Sequence, residues 1–389
     1  MNRYISFILF FLCFSCIWNN NTIAQNTTLK NDILHVIDLD ILQDTETINI
    51  SSVFNKVETI ILETKKEALV YPIFVFFAFD DYIFILNQIQ SQDFLVFDRN
   101  GKFIRKIGGP GEYRVYDFTI DTDNRIIYLL CNSAINKYSI DGTYTGSIRL
   151  EKTPNRIQYA NGKLYADLQD GEYLLQEIDM ETGIQKGKYL DLNIYNKGWY
   201  EQDFMWQRTP FKYRSCESPK FVHTFMDTIV AIHQDGLMPF LALKSKNLTT
   251  KTDIKATEGK KPSERILEMK TKNKIFGIFN YFETKNHIHF CYSQGTTHIH
   301  PILYCKSTNL YQETFLQNDL VFDINKFSEY FIFSDSNGVY ESYYGNSLIH
   351  ELFLKDIKEG KLAPHLDKRE ELMKITEDSN PVIFYYSYD

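Results

Sequence analysis

A short unit recurs along this chain: one strand-like run, a second, a turn that ends in glycine, and a third run. Its clearest copy reads Asp80-Asp81-Tyr82-Ile83-Phe84-Ile85-Leu86, then Phe94-Leu95-Val96-Phe97-Asp98, a turn at Asn100-Gly101, and Lys102 to Ile107. The next copy runs from Arg125 to Leu130 and from Ile135 to Ile140, turns at Asp141-Gly142 and continues from Tyr144 to Leu150. A third begins at Asn161-Gly162-Lys163-Leu164-Tyr165 and turns at Thr182-Gly183; looser copies start at Asp227, His287 and Tyr330. Strand-like runs rich in aromatic and β-branched residues, separated by Asn-Gly or Asp-Gly, mark hairpins, because glycine takes the positive φ such turns need. Successive starts lie roughly 40 to 65 residues apart, the span of a four-stranded propeller blade with variable loops. About six such units fit between Leu29 and Asp389. No stretch before about residue 350 shows a 3.6-residue apolar period, so the body is expected to be all-β, a six-bladed β-propeller. A stacked pair of β-sandwiches is the alternative. Single repeats of this size cannot bury both sheet faces, so stacking them around an axis accounts for the 30 Phe and 26 Tyr, which appear on both faces of the strands.

Composition limits what such a body can do. Hydrophobic residues at 44% and charged residues at 24% suit a folded chain, which excludes disorder as its main state. The net charge of −8 leaves no basic excess to neutralise phosphates, so nucleic acid is not an expected partner, and a membrane is expected only through a lipid anchor.

The N-terminus carries Arg3 and then an apolar run from Ile5 to Trp18, too short to span a bilayer and shaped like a secretory signal. Residues 1–24 are read as that signal and residues 29–389 as the propeller domain. Two processing sites compete. Phe14-Ser15-Cys16 resembles the end of a lipoprotein signal, with lipidation at Cys16, although Cys13 stands where leucine is usual. Thr22-Ile23-Ala24 before Gln25 resembles an ordinary small-residue site. Either way the protein is expected in the periplasm or at the outer membrane or cell surface. Cys131, Cys216, Cys291 and Cys305 are too widely and irregularly spaced for a disulfide framework and are expected as free thiols.

The string FLVFDRNGKFIRKIGGPGEY at Phe94 to Tyr113, preceded by DDYIFIL at Asp80 to Leu86, resembles an exported six-bladed β-propeller family of Gram-negative bacteria, related in fold to NHL and TolB-type propellers. INISSVFNKVETIILET at Ile48 to Thr64 is similar to that family's opening strand, and SNPVIFYYSYD at Ser379 to Asp389 to its closing strand. The resemblance implies a ring closed by pairing a strand near Val57 to Leu62 with one at Pro381 to Tyr386, which removes free sheet edges. It implies export and fold, not a reaction. The run Gly108 to Tyr113 is shorter in glycine than the family's usual loop.

Four places are candidates for function. Gly108 to Tyr113 lacks the Lys-Ser/Thr ending of a phosphate loop, which leaves Glu112 and Tyr113 as residues for a channel mouth. His287, His289 and Cys291 precede His298 and His300, and residues two apart share a strand face. An even loop between them brings His289, Cys291, His298 and His300 to one face with zinc-type ligands, while Ile288, Phe290, Tyr292, Ile299 and Leu303 form an apolar stripe on the other; an odd loop separates the pairs. A packed polar face without metal is the expectation, with zinc or calcium the cofactors a site here or in the channel would take. Third, Trp199, Trp206 and Arg208 lie in an aromatic insertion suited to stacking on sugars or peptide side chains. Last, Asp367 to Ile375 reads as a short amphipathic helix bracing the closing strand.

Two functions follow. One is a non-catalytic cell-envelope binding or scaffold propeller that engages a glycan, a peptide or a protein. The other is a lactonase-like or glycan-cleaving enzyme with a cation held in the central channel. Carboxylates converging at the channel favour the second, and an aromatic mouth the first.

Overall fold

The computed structural model describes residues 35–42, 46–71, 73, 75–87, 93–108, 114–167, 172–199, 209–215, 218–295, 298–328, 331–343 and 348–388. The signal and Cys16 lie outside them. Six small sheets, each with an antiparallel four-stranded body, form a ring, so the chain is an all-β, six-bladed propeller. Blade 1 consists of Val75–Phe79, Tyr82–Leu86, Phe94–Asp98 and Phe103–Ile107, from the axis outward. Blade 2 is Asp117–Asp121, Ile126–Leu130, Ala134–Ser139 and Tyr144–Arg149; blade 3 is Arg156–Ala160, Lys163–Asp167, Tyr173–Ile178 and Gln185–Asp191. Blade 4 has Phe211–Lys212, Lys220–Phe221, Thr228–His233 and Gly236–Lys244; blade 5 has Ile275–Glu283, His287–Gln294, His298–Cys305 and Leu310–Gln317.

Blade 6 shows how the ring closes. Phe331–Ser334, Gly338–Tyr343 and Val382–Ser387 come from the C-terminal part, and Lys56–Ile61 from the N-terminal part completes the sheet. Val382 pairs with Ile61 and Ser387 with Lys56, the closure expected from the sequence. Of the segment Asp367 to Ile375, read as a helix bracing the closing strand, Arg369–Leu372 is helical, and its first two residues hold the strand beside the closing one: Asp367 Oδ1 accepts from the Thr59 amide at 3.1 Å, and Lys368 Nζ donates to the Thr59 carbonyl at 2.7 Å.

The recurring glycine turns join one blade to the next. Gly101 at φ +87° in blade 1 lies against the outer strand of blade 6, where a Cβ would collide with the Ile61 carbonyl, and its own carbonyl accepts from the Glu63 amide at 2.8 Å. Gly183 at φ +74° in blade 3 lies in the same way on Arg149 of blade 2. These turns are therefore constrained twice, by φ and by the neighbouring blade. At the axis, each innermost strand is the edge of its sheet, with backbone amides that take partners from outside the sheet. Neighbouring side chains cover some of them: Asp117 and Thr119 of blade 2 accept from the Ile157 and Tyr159 amides of blade 3 at 2.9 and 3.0 Å.

Several elements depart from the sequence reading. His35–Asp38 adds in parallel to the outer strand of blade 4, and Glu46–Asn49 to that of blade 5, so the N-terminal segment crosses two outer edges before it closes the ring. Helices Pro262–Thr271 and Leu348–Lys358 were also not expected. Each buries one narrow stripe, Ile266 and Met269 in the first and Phe353, Leu354 and Ile357 in the second, and a stripe that short gives little periodic signal.

Candidate functional site

One cavity of about 520 Å³ is lined by the innermost strands of blades 1, 4, 5 and 6 and extends outward between blades 5 and 6. Its inner wall comes from the innermost strands: Val75 and Phe76 of blade 1, Phe211 to Arg214 of blade 4, Phe279 to Tyr281 of blade 5 and Phe331 to Ser334 of blade 6. The outer part is made by Ile299, Pro301, Phe315 and Leu316 of blade 5 with Phe327. Ile299, Phe315 and Phe327 stay 47%, 39% and 41% exposed, and the Phe315 and Phe327 rings lie 5.6 Å apart. Exposed apolar side chains grouped at a cavity are a feature that ligand sites share.

Beside it a buried polar cluster joins the inner strands of blades 2 and 3 to Arg214. Arg214 leaves blade 4 and reaches blades 2 and 3: Nε donates to Gln158 Oε1 at 2.9 Å, Nη2 to the Ile157 carbonyl at 3.0 Å and to the Phe118 carbonyl, and Nη1 stands 3.4 Å from Asp117 Oδ1. This guanidinium is both the wall of the cavity and the bolt between three blades. Asp167 of blade 3 is buried nearby, and the burial pushes its carboxyl up to about 7, helped by the Asp117 charge and opposed by Arg156.

Blade 5 supplies the cavity's most chemical-looking wall. Phe279 pairs with Cys291 and Phe282 with His289, so Asn280 and Tyr281 stand opposite the single residue Phe290, a bulge with Asn280 at φ +48°. The bulge puts Asn280 Nδ2 3.9 Å from Cys291 Sγ, and the His289 ring bonds the Asn280 backbone and stacks on Phe282 at 4.8 Å. Cysteine, histidine and asparagine side by side invite a nucleophilic reading, but burial drives the pair the wrong way. The Cys291 thiol is pushed up to about 12 and the His289 imidazole down to about 4, so both are neutral near pH 7 and no thiolate forms. Cys305 differs: it is partly exposed, and hydrogen bonds from Ser307 and Thr308 bring its thiol down to about 7. Iodoacetamide at neutral pH is therefore expected to label Cys305 while Cys291 and Cys131 stay unlabelled in the folded protein. Peptide mass spectrometry reads this, and labelling of Cys291 at the Cys305 rate would refute the neutral pair.

The same register corrects the metal-ligand expectation. Gln294 pairs with His298, Tyr292 with His300 and Cys291 with Pro301, which leaves three residues between the paired ends. That odd number puts His289 and Cys291 on one face and His300 on the other, where it stacks on Tyr292 at 4.7 Å and its Nδ1 meets Glu313 Oε1 at 3.1 Å. Ile299, expected in the stripe with Ile288 and Phe290, crosses to the His289 face with it and becomes the cavity lip. Among the described residues, no three His, Cys, Asp or Glu side chains are grouped to hold a metal ion.

Trp199 also departs from its expected role. It is 1% exposed, packed with Phe225, Ile254, Ile266 and Met269, with the Arg265 guanidinium 4.4 Å above its ring. Its flat face is already used and offers nothing to a sugar. Trp206, Arg208, Glu112 and Tyr113 lie outside the described residues. Phe315 and Phe327 were missed because no spacing in the sequence links a blade-5 outer strand to the loop that follows it.

A family model described as a domain of unknown function, DUF4934, matches residues 34–387. No curated protein matches the sequence. A crystal structure of a Bacteroides fragilis protein described as exported is similar at a TM-score of 0.69 and 15% identity, over 92% of this chain and 100% of that one. Partial likenesses join it. The extracellular domain of a one-component system from B. thetaiotaomicron has a TM-score of 0.36 at 12% identity, over 67% of this chain and 29% of that one. BamB from Moraxella catarrhalis has 0.34 at 8%, over 65% of each.

Proposed function

This chain belongs to the DUF4934 family, and from that premise we propose that it is an exported, non-catalytic binding propeller whose ligand enters the cavity between blades 5 and 6. The observation that carries the reading is the mouth: Ile299, Phe315 and Phe327 stay exposed around a preformed apolar cavity of a volume typical for ligand sites. Two lines support export, the charged and apolar N-terminal sequence and the similarity to a protein described as exported. Placement in the periplasm or at the cell surface, with or without a lipid on Cys16, belongs to the same proposal.

The enzyme alternative needs carboxylates converging on a channel cation. Among the described lining residues there is no Asp or Glu, and the His289 and Cys291 pair is held neutral. Of the partner classes, a glycan loses its main support with the burial of Trp199, whereas an apolar small molecule or an apolar side chain of a peptide or protein suits the mouth.

Titration with the neutral dye N-phenyl-1-naphthylamine tests the reading. Saturable, one-to-one fluorescence enhancement is expected, with affinity reduced about tenfold or more in Ile299→Asp, which places a charge on an exposed lip without disturbing the core. A folded protein that shows no saturable binding, or equal binding in the variant, would reject this cavity as the ligand seat.

A further inference from the structure

Every blade that contributes to the cavity contributes a ring. Phe76 comes from blade 1, Phe211 from blade 4, Phe315 from blade 5, and Phe331 and Phe333 from blade 6; Phe327 joins them from the segment between blades 5 and 6. The buried rings are held from behind by other rings. Phe211 meets Phe221 edge-on at 5.3 Å, Phe331 meets Phe282 edge-on at 4.7 Å, and Phe333 tilts against Phe77 at 5.1 Å. A ring seated in this way resists turning into the space it borders, so the wall is shaped before a ligand arrives.

Charge gives the second constraint. The cationic side chains among the described lining residues are Lys212 and Arg214, and both are already engaged. Lys212 Nζ donates to the Thr209 carbonyl at 2.6 Å, and the Arg214 guanidinium is held by Gln158, two carbonyls and Asp117. An anion would have to compete for these donors. A cation would find no Asp or Glu among the described lining residues to meet it.

We infer that the ligand is an uncharged, planar aromatic small molecule, its ring system lying against the Phe315 and Phe327 lip and reaching inward to Phe331 and Phe333. This rests on the cavity being the ligand seat. A saturated molecule of the same size gains only from the area it buries, whereas an aromatic one adds edge-to-face and offset contacts with the wall rings. At about 520 Å³ the space admits a molecule of several rings.

Displacement of N-phenyl-1-naphthylamine by 2-naphthol, decahydro-2-naphthol and 2-naphthoate, at about pH 7, tests the inference. The first two share a carbon skeleton and a hydroxyl and differ in aromaticity; the third adds a negative charge to the aromatic ring. On the wild-type protein 2-naphthol is expected to bind about tenfold more tightly than decahydro-2-naphthol, the size of a few ring contacts, and more tightly than 2-naphthoate. In the double variant Phe315→Leu, Phe327→Leu, which keeps an apolar lip without its rings, the aromatic advantage is expected to shrink about threefold or more. The wild-type comparison stands by itself if the variant misfolds. Equal or tighter binding of the saturated alcohol overturns the aromatic ligand, and equal or tighter binding of 2-naphthoate overturns its neutrality. An aromatic advantage that persists undiminished in the folded variant overturns the placement at the lip. If none of the three displaces a dye that does bind, the inference falls and the ligand seat stands. If the dye itself fails to bind, both fall.

Discussion

Replacing Arg214 by Ala is expected to destabilise the propeller by about 3–5 kcal/mol, because it leaves the fully buried Asp117 carboxylate without its cation. Gln158 Oε1 and the Phe118 and Ile157 carbonyls lose their donors at the same time. These groups belong to blades 2 and 3, while Arg214 follows the inner strand of blade 4, so the loss loosens three blades together. Arg214→Lys keeps the charge but cannot present the planar fork, and is expected to fall between the wild type and Ala. Urea denaturation reads the midpoints. A cost below about 1 kcal/mol for Arg214→Ala would mean that the cluster fills space without bolting the blades.

The second large effect comes from Asp167, whose folded-state carboxyl is raised from 3.8 to about 7, chiefly by burial. The sign follows from proton binding. Below about pH 4 the group is protonated in the folded and the unfolded chain alike, and it has no effect. Between about pH 4 and 7 the unfolded chain releases this proton while the folded one keeps it, so stability is lost as pH rises, and the loss levels off above 7. The shift corresponds to about 3–4 kcal/mol in total. Asp167→Asn, which imitates the protonated acid, is expected to match the wild type near pH 4 and exceed it by roughly that amount near pH 8. Parallel denaturation curves that stay superimposed from pH 4 to 8 would show that Asp167 ionises normally.

The fold was largely legible because its determinants are local. Asn100-Gly101, Asp141-Gly142 and Thr182-Gly183 announce hairpins, and the same glycines turned out to be the contacts on which successive blades rest. Closure was legible through resemblance of the two ends rather than through spacing. The site was hidden for two physical reasons. Strand faces depend on loop parity, so one residue between Gln294 and His298 decided whether the histidines converge and whether Ile299 is core or lip. The cavity itself is assembled from four blades, with Phe76 and Phe333 at opposite ends of the sequence, and no periodicity records which blades leave space at the axis. Trp199 shows the converse: an aromatic residue that looks available in the sequence is used by Arg265 and the core around it.

A crystal structure with 1-bromonaphthalene, located by the anomalous signal of its bromine, tests the central claim most directly. The binding-propeller account predicts a bromine peak inside the blade 5 and blade 6 cavity, in contact with Phe315, Phe327 or Phe331 and absent in Ile299→Asp. Peaks confined to other surfaces, with the cavity empty at saturating probe, would contradict it.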